Sequence, residues 1–154
     1  MTAKVRTCLW FDGNGEEAAR FYVSLLAGSR IDDVFRPEPE GVALMVNFTL
    51  AGVPYQALNG GPHYTLNEAA SISVTTADQA ETDRLWDALT SDGGKASRCG
   101  WLKDRFGLSW QIVPAALPAL LGGPERKGAG RAMAAMMQMG KIDIAVLEAA
   151  YRGS

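Results

Sequence analysis

The sequence predicts an α+β fold in which one strand–helix–strands module occurs twice and is followed by a helical tail. Strand periodicity and helix periodicity recur in the same order in both halves. The two predicted helix starts, Asn14 and Asp78, are 64 positions apart. A repeat of that length is typical of a duplicated module inside one domain and is too long for a solenoid. We therefore expect a single domain over residues 1–154.

Composition excludes several classes of partner. The chain has 154 residues and a formal net charge of −2, with both signs interspersed. This pattern offers no basic surface for nucleic acid and no polybasic patch for anionic lipid. No apolar run is long enough to span a bilayer, and the first residues lack the apolar core of a leader peptide. We expect a cytoplasmic protein with no nucleic-acid and no membrane partner, and with Cys8 and Cys99 reduced.

The first module begins with a strand and a helix. Val5, Thr7, Leu9 and Phe11 alternate with Lys4, Arg6, Cys8 and Trp10, which is the period of a strand. Asn14 followed by Glu17 resembles a capping box, and an apolar stripe of helical period comes next. Gly28 supplies the left-handed residue that ends this helix.

A β-hairpin completes the first module. After a short strand at 29–35, apolar residues alternate with polar ones over 42–50, and residues 51–52 form the turn. If Leu50 lies opposite Val53, then Asn47 lies opposite Gln56. One face of the hairpin is then apolar from position 42 onward, and the other face is polar.

The second module repeats this plan. Residues 71–76 alternate as a strand, and Asp78 with Glu81 forms a second capping box. The helix that follows ends at the glycine pair 93–94. Two further strands are predicted at 95–101 and 108–113, joined by a turn over 103–107 that has aspartate early and glycine late.

The modules therefore cover about 4–59 and 70–114, and the tail covers 115–154. The tail is punctuated by proline and glycine and carries two apolar stripes of helical period. One stripe contains Met133, Met136 and Met137, close to Met139. Such stripes need a partner surface, which is this domain or another chain.

Several segments together resemble a known family. They are WFDGNGEEAARFY at 10–22, ALNGGPH at 57–63, DRLWDAL at 83–89, GWLKDRFG at 100–107, WQIVP at 110–114 and KIDIA at 141–145. These segments closely resemble the PhnB-like branch of the glyoxalase/bleomycin-resistance/dioxygenase superfamily. The resemblance implies a vicinal-oxygen-chelate fold, in which two βαβββ modules form a cupped mixed sheet around a cavity, and it implies a homodimer.

The resemblance also implies where a metal would be held. Enzymes of the superfamily bind a divalent ion through His and Glu side chains, and in this chain those positions fall near Thr7, Gln56, Ser71 and Gln111. Hydroxyl and amide groups replace the imidazoles and carboxylates that such an ion needs. We therefore expect no metal and no other cofactor.

Related chains often carry a demethylubiquinone methyltransferase label. A methyltransferase of the common class needs a glycine-rich strand-to-helix turn for its nucleoside cofactor. The turn at 12–15 lacks the GxGxxG spacing, and Glu16 and Glu17 follow it, where they would repel an anionic group. The residues give this label little support.

We predict that the chain binds a small molecule in the cavity that the fold implies. The predicted ligand-binding residues are Thr7, Asn47, Gln56, Asn59, His63, Ser71, Trp101 and Gln111. Two alternatives remain open. One is an enzyme that acts on a small or lipophilic substrate through His63, whose ordinary pKa lies near neutrality. The other is a non-catalytic protein that binds a partner through its methionine-rich tail.

Overall fold

The structure, a computed structural model, describes residues 2–154 and confirms the α+β fold with a helical tail. It contains two compact units, the first ending at Leu66 and the second spanning Asn67–Ser154. Each unit has one four-stranded mixed sheet. Among the helices in the described part of the chain, none is long and apolar enough to cross a membrane. The single domain over 1–154 stays a prediction.

The first unit has the order βαβββ. Its elements are β1 Thr7–Phe11, α1 Gly15–Leu25, β2 Arg30–Phe35, β3 Met45–Leu50 and β4 Val53–Asn59. The sheet order is β1-β4-β3-β2. β1 runs parallel to β4, and the other pairs are antiparallel.

Helix α1 covers one face of this sheet. The α1 residues Ala18, Ala19 and Tyr22 are fully buried. The Tyr22 ring lies 6.4 Å from that of Phe48, and Phe48 in turn stacks on Tyr55 at 5.6 Å. Burial of these aromatic rings is a large apolar contribution to stability, so this face forms the core of the unit.

The predicted hairpin register is confirmed, because Leu50 pairs with Val53 and Asn47 with Gln56. The apolar face starts later than predicted. The β3 ladder begins at Met45, and Val42 and Leu44 are 68% and 40% exposed. Ala43 is the buried residue of this stretch, at 1% exposed, and a turn closed by the Gly41 N–H comes just before it, so the burial pattern is opposite to the predicted one.

The start of α1 differs from the predicted capping box. Asn14 occupies the N-cap position, but its side chain makes no cap hydrogen bond. Instead the Gly15 N–H donates to Asn59 Oδ1 over 2.8 Å. A Cβ on Gly15 would lie 2.8 Å from that oxygen, so the glycine permits this approach. The helix is therefore capped from β4.

The second unit repeats the βαβββ order and adds three helices. Its elements are β5 Ser71–Thr76, α2 Gln79–Thr90, β6 Lys95–Ala96, β7 Trp101–Lys103, β8 Ser109–Pro114, α3 Ala116–Leu121, α4 Arg126–Met136 and α5 Ile144–Arg152. The sheet order β5-β8-β7-β6 matches that of the first unit, and β5 is parallel to β8. Helix α2 buries Leu85, Trp86 and Leu89.

The predicted cap by Asp78 is confirmed, whereas the return bond from Glu81 goes to Ala77, one residue before the N-cap. Asp78 Oδ1 accepts from the Glu81 N–H at 2.8 Å, and Glu81 accepts in return from the Ala77 N–H. Such caps satisfy helix N–H groups that have no partner within the helix.

The predicted strand at 95–101 is wrong as a continuous strand. It is broken into β6 and β7 by Cys99 and Gly100, whose φ angles are +57° and +84°. The Gly100 N–H donates to Gly140 in the tail, and a Cβ on Gly100 would lie 2.8 Å from the Ile112 carbonyl oxygen. Only glycine fits this position without moving β8.

The turn after β7 is organised by a buried carboxylate. Asp104 is 3% exposed, and its Oδ1 accepts from the N–H groups of Phe106 and Leu108. Its Oδ2 accepts from Trp110 Nε1 at 2.9 Å. A buried carboxylate is tolerated only when it is well hydrogen-bonded. This contact therefore explains Asp104 in the GWLKDRFG segment and Trp110 in the WQIVP segment.

The tail forms its own small core. Leu117, Ala132, Ile142 and Leu147 are buried there, with Met136 and Met139 packed against them. Met133 and Met137 are instead 43% and 50% exposed. The methionine cluster therefore divides between packing and surface.

Gln79 fastens the tail to α2. Its Nε2 donates to the carbonyl of Ile142 and its Oε1 accepts from the Ile144 N–H, at 2.9 Å and 2.8 Å. Nε2 also contacts Asp83 Oδ1. One amide side chain thus pairs with tail backbone on both its donor and its acceptor side.

We predict that Gln79→Ala lowers the free energy of unfolding by about 1–3 kcal/mol, because it leaves partly buried backbone groups without partners. Urea denaturation would measure the change. Gln138→Ala is the control, since Gln138 is exposed on the tail surface. Equal stability of the two variants would contradict the role assigned to Gln79.

Candidate functional site

The uncovered face of the first sheet is polar, and its register decides which predicted residues share it. Cys8 lies beside Gln56 on this face, whereas Thr7 lies beside Tyr55 on the opposite face. Side chains alternate along a strand, so Thr7 does not join Asn47 and Gln56. The predicted position of Thr7 in the polar set is corrected to Cys8.

Cys8 is not poised as a nucleophile. Partial burial raises the pKa of its thiol above the ordinary value. A raised pKa keeps the sulfur protonated at neutral pH, and the thiolate is the reactive form.

A β-bulge adds charge to this face. The pairing of β2 with β3 shifts between Ile31 and Asp33, so Asp32 is an extra residue. Asp32 points to the polar face, where its Oδ2 accepts from Thr49 Oγ1 at 2.7 Å. Bulges of this kind re-aim a side chain within an otherwise regular ladder.

Asp32 is the centre of an ion-pair network. Arg6 Nη1 donates to its Oδ2 at 3.1 Å, and Arg30 Nε lies 2.8 Å from its Oδ1. Burial raises the pKa of Asp32, but the hydrogen bonds from Thr49 and Arg6 and the charge of Arg30 outweigh it, so the net pKa is lowered. The network is therefore charged at neutral pH.

Asn47 contacts the next carboxylate of the bulge. Its Nδ2 donates to Asp33 at 3.1 Å and 3.3 Å. Its Oδ1 is out of solvent contact and has no hydrogen-bond partner within residues 2–154. A buried acceptor without a donor is uncommon in folded proteins.

Two cavities lie on this face. One, of about 530 Å³, is lined by Thr2, Ala3, Arg6, Arg30, Asp32, Asp33, Thr49, Gly52 and Pro54. The other, of about 450 Å³, is lined by residues 2–6 together with Asn47 and Gln56. Two of the predicted ligand-binding residues thus share one cavity.

Asn59 and His63 have other positions. Asn59 uses its Oδ1 on Gly15 and its Nδ2 on the Ala43 carbonyl, so both ends of the amide serve the fold. His63 is exposed and lines none of the cavities described for the two units. Within residues 2–154, His63 has no hydrogen-bond partner that could make it a general base.

The loop that carries His63 is held by a tryptophan. Trp10 Nε1 donates to the Gly61 carbonyl at 2.8 Å, and its ring meets Tyr64 edge-on at 4.8 Å. A Cβ on Gly60 would lie 2.4 Å from the Trp10 ring, which explains the glycine.

The second sheet brings three predicted residues together on one face. Ser71 pairs with Ser109, and Gln111 pairs with both Ser73 and Trp101. Gln111 Nε2 donates to Ser71 Oγ at 3.0 Å. Ser71, Trp101 and Gln111 are therefore neighbours on this face.

A third cavity, of about 270 Å³, adjoins this face. It is lined by Glu68, Lys95, Ala96, Ser97, Trp101, Leu102, Lys103 and Ser109. Ser109 is 1% exposed, and its Oγ has no hydrogen-bond partner in the described chain. Lys103 and Glu68 form a 2.7 Å ion pair at the rim, and this pair lowers the pKa of Glu68.

These residues do not fit a catalytic divalent metal. Thr7 and Gln56 are on opposite faces, and Ser71 and Gln111 are engaged with each other. All four donors are neutral amides or hydroxyls, which bind such an ion weakly. Within residues 2–154, no group of three or more His, Cys, Asp and Glu side chains is placed to hold a metal.

Sequence reasoning missed Arg6, Arg30, Asp32, Asp33 and Ser109. Strict alternation counted from Ile31 places Asp33 on the core side, and the bulge moves it to the polar face. Ser109 carried a usable signal, because the predicted alternation of β8 puts it on the face of Gln111.

Comparison with known proteins agrees with the fold. Residues 3–113 match a family model described as 3-demethylubiquinone-9 3-methyltransferase. None of the curated proteins matches the chain. The matched segment ends within β8, so helices α3, α4 and α5 lie outside it.

Three solved structures are similar to the chain. A putative 3-demethylubiquinone-9 3-methyltransferase, PhnB protein, from Bacillus cereus is 29% identical, with a TM-score of 0.67 over 73% of this chain and 100% of that one. A Pseudomonas aeruginosa protein is 23% identical, with a TM-score of 0.58 over 73% and 98%. A glyoxylase/bleomycin resistance protein/dioxygenase domain from Frankia sp. EAN1pec is 12% identical, with a TM-score of 0.50 over 74% and 92%.

The last two similarities concern the fold alone. The family model, in contrast, covers well over half of the chain. The chain therefore belongs to the 3-demethylubiquinone-9 3-methyltransferase family.

Proposed function

We propose that the protein binds a small molecule without a catalytic metal, and that the cavity beside β7 and β8 is a binding site. The unpartnered hydroxyl of Ser109 supports this most directly. A buried hydroxyl without a hydrogen bond costs free energy, and a ligand that bonds to it recovers that cost.

The lining indicates what such a ligand contains. Trp101, Ala96 and Leu102 offer apolar contact, and Ser97 and Ser109 offer hydroxyl groups. At about 270 Å³ the cavity is near the lower end of the range for small-molecule sites. A compact ligand with an apolar ring and one hydrogen-bonding group suits it, for example a phenol or a benzamide.

The methyltransferase activity in the name of the family is not part of this proposal. The turn before α1 has no glycine-rich phosphate loop, and Glu16 follows it. Glu16 is ion-paired with Arg20 and Arg36, and hydrogen bonding from Arg36 is the main cause of its lowered pKa. The fixed carboxylate disfavours an anionic cofactor at this helix start.

A homodimer in the cytoplasm remains part of the proposal. Exposed apolar side chains support self-association in the first unit. Phe35, Val42 and Leu44 are 54%, 68% and 40% exposed, and a hydrogen bond from the Leu44 N–H to the Phe35 carbonyl holds two of them together. Clustered exposed apolar residues of this kind commonly mark an interface.

We predict that Ser109→Ala raises the free energy of unfolding of the ligand-free protein by about 1 kcal/mol and weakens binding of phenol or benzamide by about tenfold. Denaturation and ligand titration by NMR would measure the two effects. Ser73→Ala is the matched control, because Ser73 is an exposed serine on the same sheet face. Unchanged affinity in Ser109→Ala would contradict binding of the ligand in this cavity. Recovery of the ligand in unaltered form would show that the protein binds it without turnover.

We predict that Val42→Asp converts a dimer to a monomer, because a charge in an apolar interface must be desolvated. Light scattering after size-exclusion chromatography should give twice the chain mass for the wild type and the chain mass for the variant. Val53→Asp is the control, since Val53 is 50% exposed at the hairpin turn, outside the cluster. A monomeric wild type would contradict the dimer.

A further inference from the structure

The larger cavity of the first unit has chemistry that differs from the Ser109 site. Two guanidinium groups, those of Arg6 and Arg30, line its volume of about 530 Å³. The Arg6 side chain is only 11% exposed. Burial of an arginine costs free energy unless its charge is matched, so the groups that its guanidinium contacts must be identified.

Arg6 is held through one nitrogen of its guanidinium group, Nη1. Its Nη1 donates to Asp32 at 3.1 Å and to the carbonyls of Phe48 and Tyr55 at 3.2 Å and 3.1 Å. Its Nε and Nη2 make no hydrogen bond to any residue from 2 to 154. Because a guanidinium carries five N–H donors in a planar fork, donors remain for a ligand.

Arg30 is arranged in a similar way. Its Nε lies 2.8 Å from Asp32 Oδ1, while its side chain is 67% exposed. Asp32 therefore neutralises one of two positive charges and orients both groups. The remaining positive charge and the spare N–H donors favour an anionic group, above all a carboxylate or phosphate.

The same cavity also carries an uncompensated negative charge. Asp33 lines it and accepts only from the neutral Asn47 amide, and it has no cationic partner among residues 2–154. Asp33 pairs with Asn47 and Arg30 pairs with Thr49, two positions apart along β3 on one face. That spacing is about 7 Å. The cavity thus presents a positive end and a negative side several ångströms apart.

We infer that this cavity binds a small zwitterion, with the anionic group on Arg6 and Arg30 and the protonated amine on Asp33. A ligand with an anionic group but no amine leaves the Asp33 carboxylate without a cationic partner. A ligand with an amine but no anionic group leaves the guanidinium N–H donors without an acceptor. The zwitterion satisfies both, so selectivity comes from the cost of leaving either charge without its partner.

Three matched probes test this inference. They are γ-aminobutyrate, butyrate and butylamine, which share a chain length and differ only in their charged groups. Titration of the full chain labelled with ¹⁵N, followed by NMR, gives the dissociation constant and the position of binding. We expect γ-aminobutyrate to bind most tightly and to shift the amides of Arg30, Asp33 and Thr49.

Arg30→Gln should weaken γ-aminobutyrate binding about 5- to 10-fold. Asp33→Asn keeps the shape of the side chain and removes its charge, so γ-aminobutyrate should lose its advantage over butyrate. Arg20→Gln is the control, because Arg20 is an exposed arginine on α1 that does not line the cavity. All three changes are at exposed positions, and their ¹⁵N spectra report whether the fold is kept.

Absence of saturable shifts with γ-aminobutyrate would overturn the inference, and so would equal binding of all three probes. An unchanged dissociation constant in Arg30→Gln would do the same. Shifts at Trp101 and Ser109 report on the proposed phenol or benzamide site, so the two sites succeed or fail separately.

Discussion

Burial of one face of each sheet under one helix is the constraint on which the rest of the structure depends. Tyr22 and Phe48 meet under α1, and Trp86 lies in the equivalent helix of the second unit. Once one face is covered, alternation along the strands decides which side chains are left on the other face. The polar set of each unit is therefore a consequence of how its core packs.

Much of the fold could be predicted because its signals are local. Strand alternation, the Asp78 cap and the module repeat all depend on residues close together in the chain, and each is confirmed. The errors occur where distant contacts decide. Asn59 replaces the Asn14 cap, and the break at Gly100 is stabilised by hydrogen bonding to Gly140 in the tail.

The candidate sites were harder to predict than the fold. Ser71, Trp101 and Gln111 could be assigned to one face because β5, β7 and β8 are regular. The prediction for Thr7 is off by one residue, and a shift of one residue reverses every side chain of a strand. The Arg6 network was not foreseen, because its members come from three strand regions and meet only through tertiary structure.

Because of the bulge in β2, the chemistry of the first cavity depends on the number of residues in this strand rather than on their type. With the extra residue, Arg30, Asp32 and Asp33 all point away from the core while Val34 still points toward it. Removal of one residue would restore strict alternation and leave a single acidic side chain there, with every other amino acid unchanged. The number of residues between Ile31 and Val34 therefore decides which charged groups line this cavity.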